Sequence, residues 1–266
     1  YAMDYELRKK LDAIPGLYKL GKTLLQGKMA TLMQMLNIDA MKVGPDQFPD
    51  VYKMGCDCAK ILGIGIPNMY IINDSTTNAY TYALDDVEPI VVIHSGMYER
   101  MTPGELRSVI GHECGHIHNQ HGIYQSIHDT LVMSGTAAGG IVAGLSVSAM
   151  KLLTAGVQTA LNAWSRAAEV TADRAGMICS ENLEDNYSLN AKLMYGAAFG
   201  EHEINYDAIR EQLKLQDGNI GRYMEIFASH PSGARRIAAD MEFSECEMLY
   251  QWRPELKKPG ITMRSK

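Results

Sequence analysis

One short stretch restricts this chain more than anything else in it. Thr102-Pro103-Gly104-Glu105 sets a hydroxyl acceptor, a proline at the first helical position and a glutamate three residues after the threonine, which together make a capping box. Leu106, Val109, Ile110 and Ile117 continue at helical spacing. The helix so defined carries His112-Glu113-Cys114-Gly115-His116, an HExxH motif. Four residues of helix turn through about 400° and rise about 6 Å, so His112 and His116 stack on one face and can offer two imidazole nitrogens to one zinc ion. Glu113 lies about 100° round the helix, where it reaches a metal-bound water and not the metal. A chain of 266 residues with 8 histidines yields roughly 0.014 such motifs in random order, so the motif carries weight before any context is considered.

A third ligand must come from elsewhere. The longer HExxHxxGxxH form requires Gly at 119 and His at 122, and the chain has Asn119 and Gly122, which excludes it. On a continued helix His118 and His121 lie about 240° and 180° from His112, off the metal face, and read as solvated or capping histidines. The segment Ser165-Arg166-Ala167-Ala168-Glu169-Val170-Thr171-Ala172-Asp173 fits better, with Glu169 and Asp173 one turn apart among alanines that let helices approach. Glu169 is then the candidate third ligand, and Asp173 accepts the second ring N–H of a ligand histidine. With one zinc ion per chain, a water of lowered pKa becomes the nucleophile. Glu113 takes its proton and passes it to the leaving amine of a cleaved peptide bond.

The remaining sequence predicts a mostly helical α+β chain with one small sheet. Residues 1–62 read as a helical extension, 63–253 as the metallopeptidase core and 254–266 as a C-terminal tail. Strand signal is confined to a window after Gly63, in short runs at 69–72, 79–83 and 89–94, with Asn73-Asp74 and Asp85-Asp86 as turns. Residues 131–150 hold no charge, which suits a buried or peripheral helical hairpin, with contact to a membrane as the alternative. A net charge of −6 without a Lys/Arg cluster argues against nucleic acid as a partner. The 5 cysteines form no disulfide framework, and residues 1–10 show no signal peptide, so the expected compartment is the cytoplasm. Cys56-Asp57-Cys58 and Cys114 read as ordinary thiols, not a second metal site.

The chain resembles the gluzincin family that includes the HtpX heat-shock protease, the CAAX prenyl proteases and smaller soluble relatives. The likeness spans residues 65–239 and rests on Asn78-Ala79-Tyr80, the 111–120 helix, Glu169 with Asp173, and His230-Pro231-Ser232 followed by Arg236-Ile237. It implies a zincin-like metallopeptidase acting on peptides or proteins. It further implies that His230 hydrogen-bonds the substrate carbonyl or developing oxyanion and that Arg236 supports the site. Asn78, Ala79 and Tyr80 would line an edge strand to which an extended peptide adds. From its residues alone, Ser229-His230-Pro231 also reads as an ordinary helix start. Nothing before His112 in this sequence is long and apolar enough to span a membrane, so the expected likeness is nearer to the soluble branch than to the membrane-embedded members. Two other readings stay open: a membrane-associated quality-control protease, and a proteolytically silent zinc-binding regulatory module.

Overall fold

The computed structural model describes residues 1–84, 87–136, 155–196, 204–216 and 233–257. Helix α1 (Ala2–Asp12) is followed by α2 (Leu17–Asp39), whose apolar positions recur every three or four residues and bury Leu25, Met29, Leu32 and Leu36. The turn between them needs Gly16, which takes φ 82°, a left-handed conformation that a Cβ would penalise.

Four strands form one sheet in the order β1-β2-β4-β3: β1 (Ala40–Lys42), β2 (Asn68–Ile72), β3 (Ala79–Leu84) and β4 (Val87–His94). β2 and β4 run parallel, and β1 and β3 flank them antiparallel. Successive side chains point to opposite faces of a strand. One face presents Tyr70, Ile90 and Val92 to the apolar stripe of α2. The other presents Met69, Ile71, Val91 and Ile93 to α3 (Pro49–Leu62), through Val51 and Leu62, and to α5 (Pro103–His118), through Val109 and Ile110. A strand covered on both sides must be apolar throughout, which is why Ile90-Val91-Val92-Ile93 shows no alternation.

β2, β3 and β4 lie where the sequence predicts, each longer by one or two residues. β1 is a departure from the expectation that strands begin only after Gly63. Ala40-Met41-Lys42 is too short to show a period, and it is extended because it pairs with Ile72, Ile71 and Tyr70.

Helices α4 (Ser95–Arg100), α6 (Gly122–Thr136), α7 (Ala155–Cys179), α8 (Glu184–Tyr195), α9 (Tyr206–Gln216), α10 (Gly233–Ser244) and α11 (Glu247–Trp252) complete a mostly helical α+β fold. Among the described residues, no helix is long and apolar enough to cross a membrane. Only the start of the uncharged run at 131–150 falls in α6; the rest lies outside the described residues.

Candidate active site

The capping box forms as its residues require. The Thr102 hydroxyl accepts the Glu105 N–H at 3.2 Å, and the Thr102 N–H donates to Glu105 Oε2 at 2.8 Å. Glu105 is buried and also accepts Lys192 Nζ of α8 at 2.7 Å, so a charge-assisted bond anchors the start of α5 as well.

Farther along α5, the rings of His112 and His116 meet edge to face with their Nε2 atoms 3.1 Å apart. Glu169 of α7 faces both, Oε2 lying 3.8 Å from His112 Nε2 and Oε1 3.6 Å from His116 Nε2. One ligand atom from each of the three lies within 4.8 Å of the others, a group that could hold a metal ion. Among the described residues no other trio of histidines, cysteines or carboxylates converges in this way.

Both imidazoles are held from behind. His112 Nδ1 is 2.9 Å from Asp173 Oδ1. Arg236 of α10 grips the same carboxylate with two bonds, Nε to Oδ2 at 2.7 Å and Nη2 to Oδ1 at 2.5 Å, and its Nη1 lies 3.7 Å from Glu169 Oε2. His116 Nδ1 meets His121 Nδ1 at 2.8 Å. With the ring protons directed outward on Nδ1, each Nε2 turns a lone pair inward. Two lone pairs and a carboxylate converging on one point repel one another, and a divalent cation that accepts nitrogen and oxygen donors relieves that repulsion. The donor set fits zinc.

The carboxyl groups differ sharply in character. Burial pushes Glu113 up to about 7, His112 opposing the effect and Glu169 adding to it. Burial would raise Asp173 too, but the charge and hydrogen bonds of Arg236 outweigh it and hold that carboxyl well below the usual range. Burial alone would lower the His112 imidazole, and its bond to Asp173 more than reverses this. Arg236 thus favours the ionised form of Asp173, while burial favours the protonated form of Glu113.

A cleft of about 390 Å³ opens over these groups. One wall is β3, an edge strand of the sheet, with Asn78, Ala79 and Tyr80; the other carries His112, Glu113 and His116, with Glu169 and Arg236 beside them. His230 lies outside the described residues. His118 is exposed. His121 is not the solvated or capping residue that helical geometry predicts: it is buried, bonded to His116 and edge-on to Trp164. The angle of 180° assumes a helix that continues. Instead α5 ends at His118, Gln120 takes φ 51°, and the His121 N–H returns to the His116 carbonyl at 3.1 Å. Asn119 and Gly122 are the sequence signal for that stop. Gln125 and Asp129 of α6 also line the cleft and carry no signal of their own in the sequence. Cys58 and Cys114 are free buried thiols, and burial holds the Cys114 thiol well above its ordinary range.

Glu169 reaches the histidines because α5 and α7 nearly touch. A Cβ added at Gly115 would sit 2.6 Å from Ala175 Cβ, and one at Gly111 would sit 2.6 Å from Cys179 Cβ. Gly115→Ala is therefore expected to push the helices apart, to lower stability by about 1–3 kcal/mol as over-packing does elsewhere, and to weaken metal retention. Thermal unfolding with metal analysis tests this, and wild-type values for both would show that the close approach is dispensable.

The chain is similar to known proteins over most of its length. It is 30% identical over 209 residues to the plastoglobule-localized metallopeptidase 48 of Arabidopsis thaliana, covering 78% of this chain and 58% of that protein, so it spans less than two thirds of that relative. It is 24% identical over 249 residues to a protease HtpX homolog of Ralstonia pickettii, covering 86% of each. Its fold is similar to the crystal structure of Ste24p from S. mikatae, with a TM-score of 0.50 and 17% identity over 88% of this chain and 60% of that one. A family model described as peptidase family M48 matches residues 45–242. That span holds the sheet from β2 onward, the HExxH helix, Glu169 with Asp173, and Arg236, and by it the chain belongs to peptidase family M48.

Proposed function

We propose that this chain is a zinc-dependent endopeptidase in which His112, His116 and Glu169 hold one zinc ion and Glu113 is the general base and acid. The observation that carries the reading is the convergence of three ligand atoms in a cleft whose facing wall is an edge strand. Zinc, when bound, supplies Lewis acidity to the scissile carbonyl and lowers the pKa of a water toward neutrality. Glu113 follows His112 directly on α5 and lines the cleft. Its carboxylate takes a proton from the attacking water and returns it to the departing amine nitrogen.

Asp173 fixes the ring of His112, and Arg236 fixes Asp173. Asn78, Ala79 and Tyr80 receive an extended peptide as an added strand, chiefly through main-chain bonds, which suits cleavage within protein substrates of varied sequence. His230 takes the part that the family resemblance assigns it, donating to the substrate carbonyl or the developing oxyanion. Chelation is expected to abolish hydrolysis of a peptide library, and one equivalent of zinc per chain to restore it. Hydrolysis that persists after complete metal removal, verified by metal analysis, would refute the reading.

A second reading, a protease held at a lipid surface, is favoured by the uncharged run at 131–150 and by the plastoglobule in the name of the Arabidopsis relative. Flotation with lipid vesicles that disappears on deleting this run would support it, and wild-type protein that stays with the aqueous fraction would argue against it.

A further inference from the structure

Asp4 is a buried carboxylate on α1, only 5% exposed and far in sequence from the metal-binding helix. Its Oδ2 lies 3.0 Å from His121 Nε2 and accepts the Thr171 hydroxyl of α7 at 2.7 Å. Burying an anion costs free energy unless specific donors satisfy it. Here the donors form a directional chain. As a metal ligand His116 presents the bare Nε2 on the side of Glu169, so its proton sits on Nδ1 and is donated to His121 Nδ1 at 2.8 Å. That bond fixes the tautomer of His121, whose remaining proton, on Nε2, is donated to Asp4. Arg8, one turn after Asp4, donates to the Asn119 carbonyl at 2.5 Å and to Gln120 Oε1 at 3.3 Å, holding the turn that delivers His121.

We propose that Asp4 is a positioning residue for the metal centre, orienting His116 through His121 as Asp173 orients His112 directly. The proposal rests on the reading of His116 as a metal ligand. It makes α1, which precedes the residues matched by the family model, a working part of the centre.

The test measures zinc affinity of the full chain by chelator competition, together with the visible absorption spectrum of the cobalt-loaded protein. Asp4→Ala is expected to bind zinc about 10–100-fold more weakly, the usual effect of losing such a partner, and to shift the cobalt bands. Asp4→Asn keeps the shape and a neutral acceptor and should fall between; if Asp4→Ala fails to fold, this variant decides. Leu36→Ala opens the core under the opposite face of the sheet, in a cluster that contains neither α1 nor Trp164, so it should lower the melting temperature and leave zinc affinity and cobalt spectrum as in wild type. Unchanged affinity in both Asp4 variants, or an equal loss in Leu36→Ala, overturns the proposal. His116→Ala separates two kinds of failure. If it loses zinc while the Asp4 variants bind normally, the positioning role alone falls; if it binds zinc as wild type does, the ligand reading falls and takes the proposal with it.

Discussion

Glu113→Gln is expected to keep its zinc and to lose peptide hydrolysis by about 10²–10⁴-fold, the range that general acid–base catalysis contributes. Glutamine matches the shape of the glutamate and cannot accept the proton, so the loss should fall on kcat with KM little changed. The fold should survive. Glu113 is buried and lies outside the trio of converging ligand atoms, and replacing a desolvated carboxyl by an amide removes a charge that burial disfavours. Metal content and kcat measured on one preparation check both halves. A variant with wild-type kcat would eliminate Glu113 as the proton carrier, and one that loses its zinc would place it among the ligands.

Glu169→Gln should produce the opposite pattern, a fall in zinc affinity larger than the loss of an orienting partner produces. The carboxylate faces both histidines and also balances Arg236, whose Nη1 is 3.7 Å away. An amide in its place leaves that guanidinium charge acting against the cation, and zinc loses its single anionic ligand in the trio. We expect more than about 100-fold weaker binding, beyond the roughly 10–100-fold of an orienting carboxylate and equivalent to about 2.7 kcal/mol. Asp173→Asn is the comparison, since it touches His112 without facing the converging nitrogens. Chelator competition on the two variants gives the order. A smaller loss for Glu169→Gln than for Asp173→Asn would reverse the roles of the two carboxylates.

Periodicity explains why much of this site is legible in the sequence. His112 with His116, and Glu169 with Asp173, sit one turn apart, and helical geometry alone puts each pair on one face. It does not say that the two faces meet. That depends on Gly111 and Gly115 of α5 packing onto Cys179, Ala172 and Ala175 of α7, a contact between segments far apart in the chain. β1 escapes notice for a related reason, since three residues cannot show alternation and pairing with β2 alone makes them a strand. His121 is misplaced because a helical wheel holds only while the helix lasts, and the turn at Gln120 swings it back onto His116. Asp4 gives no local sign at all. In the first turn of a charged helix an aspartate reads as a complement to the helix dipole, and only the folded chain brings it to His121.

The most direct measurement is mass-spectrometric analysis of a diverse peptide library incubated with the zinc-loaded chain, beside metal-free protein and Glu113→Gln loaded with the same zinc. Internal cleavage by the zinc-loaded wild type alone is the predicted result. A library left intact by that protein, or cut at the same bonds by Glu113→Gln, would contradict a zinc endopeptidase that uses Glu113.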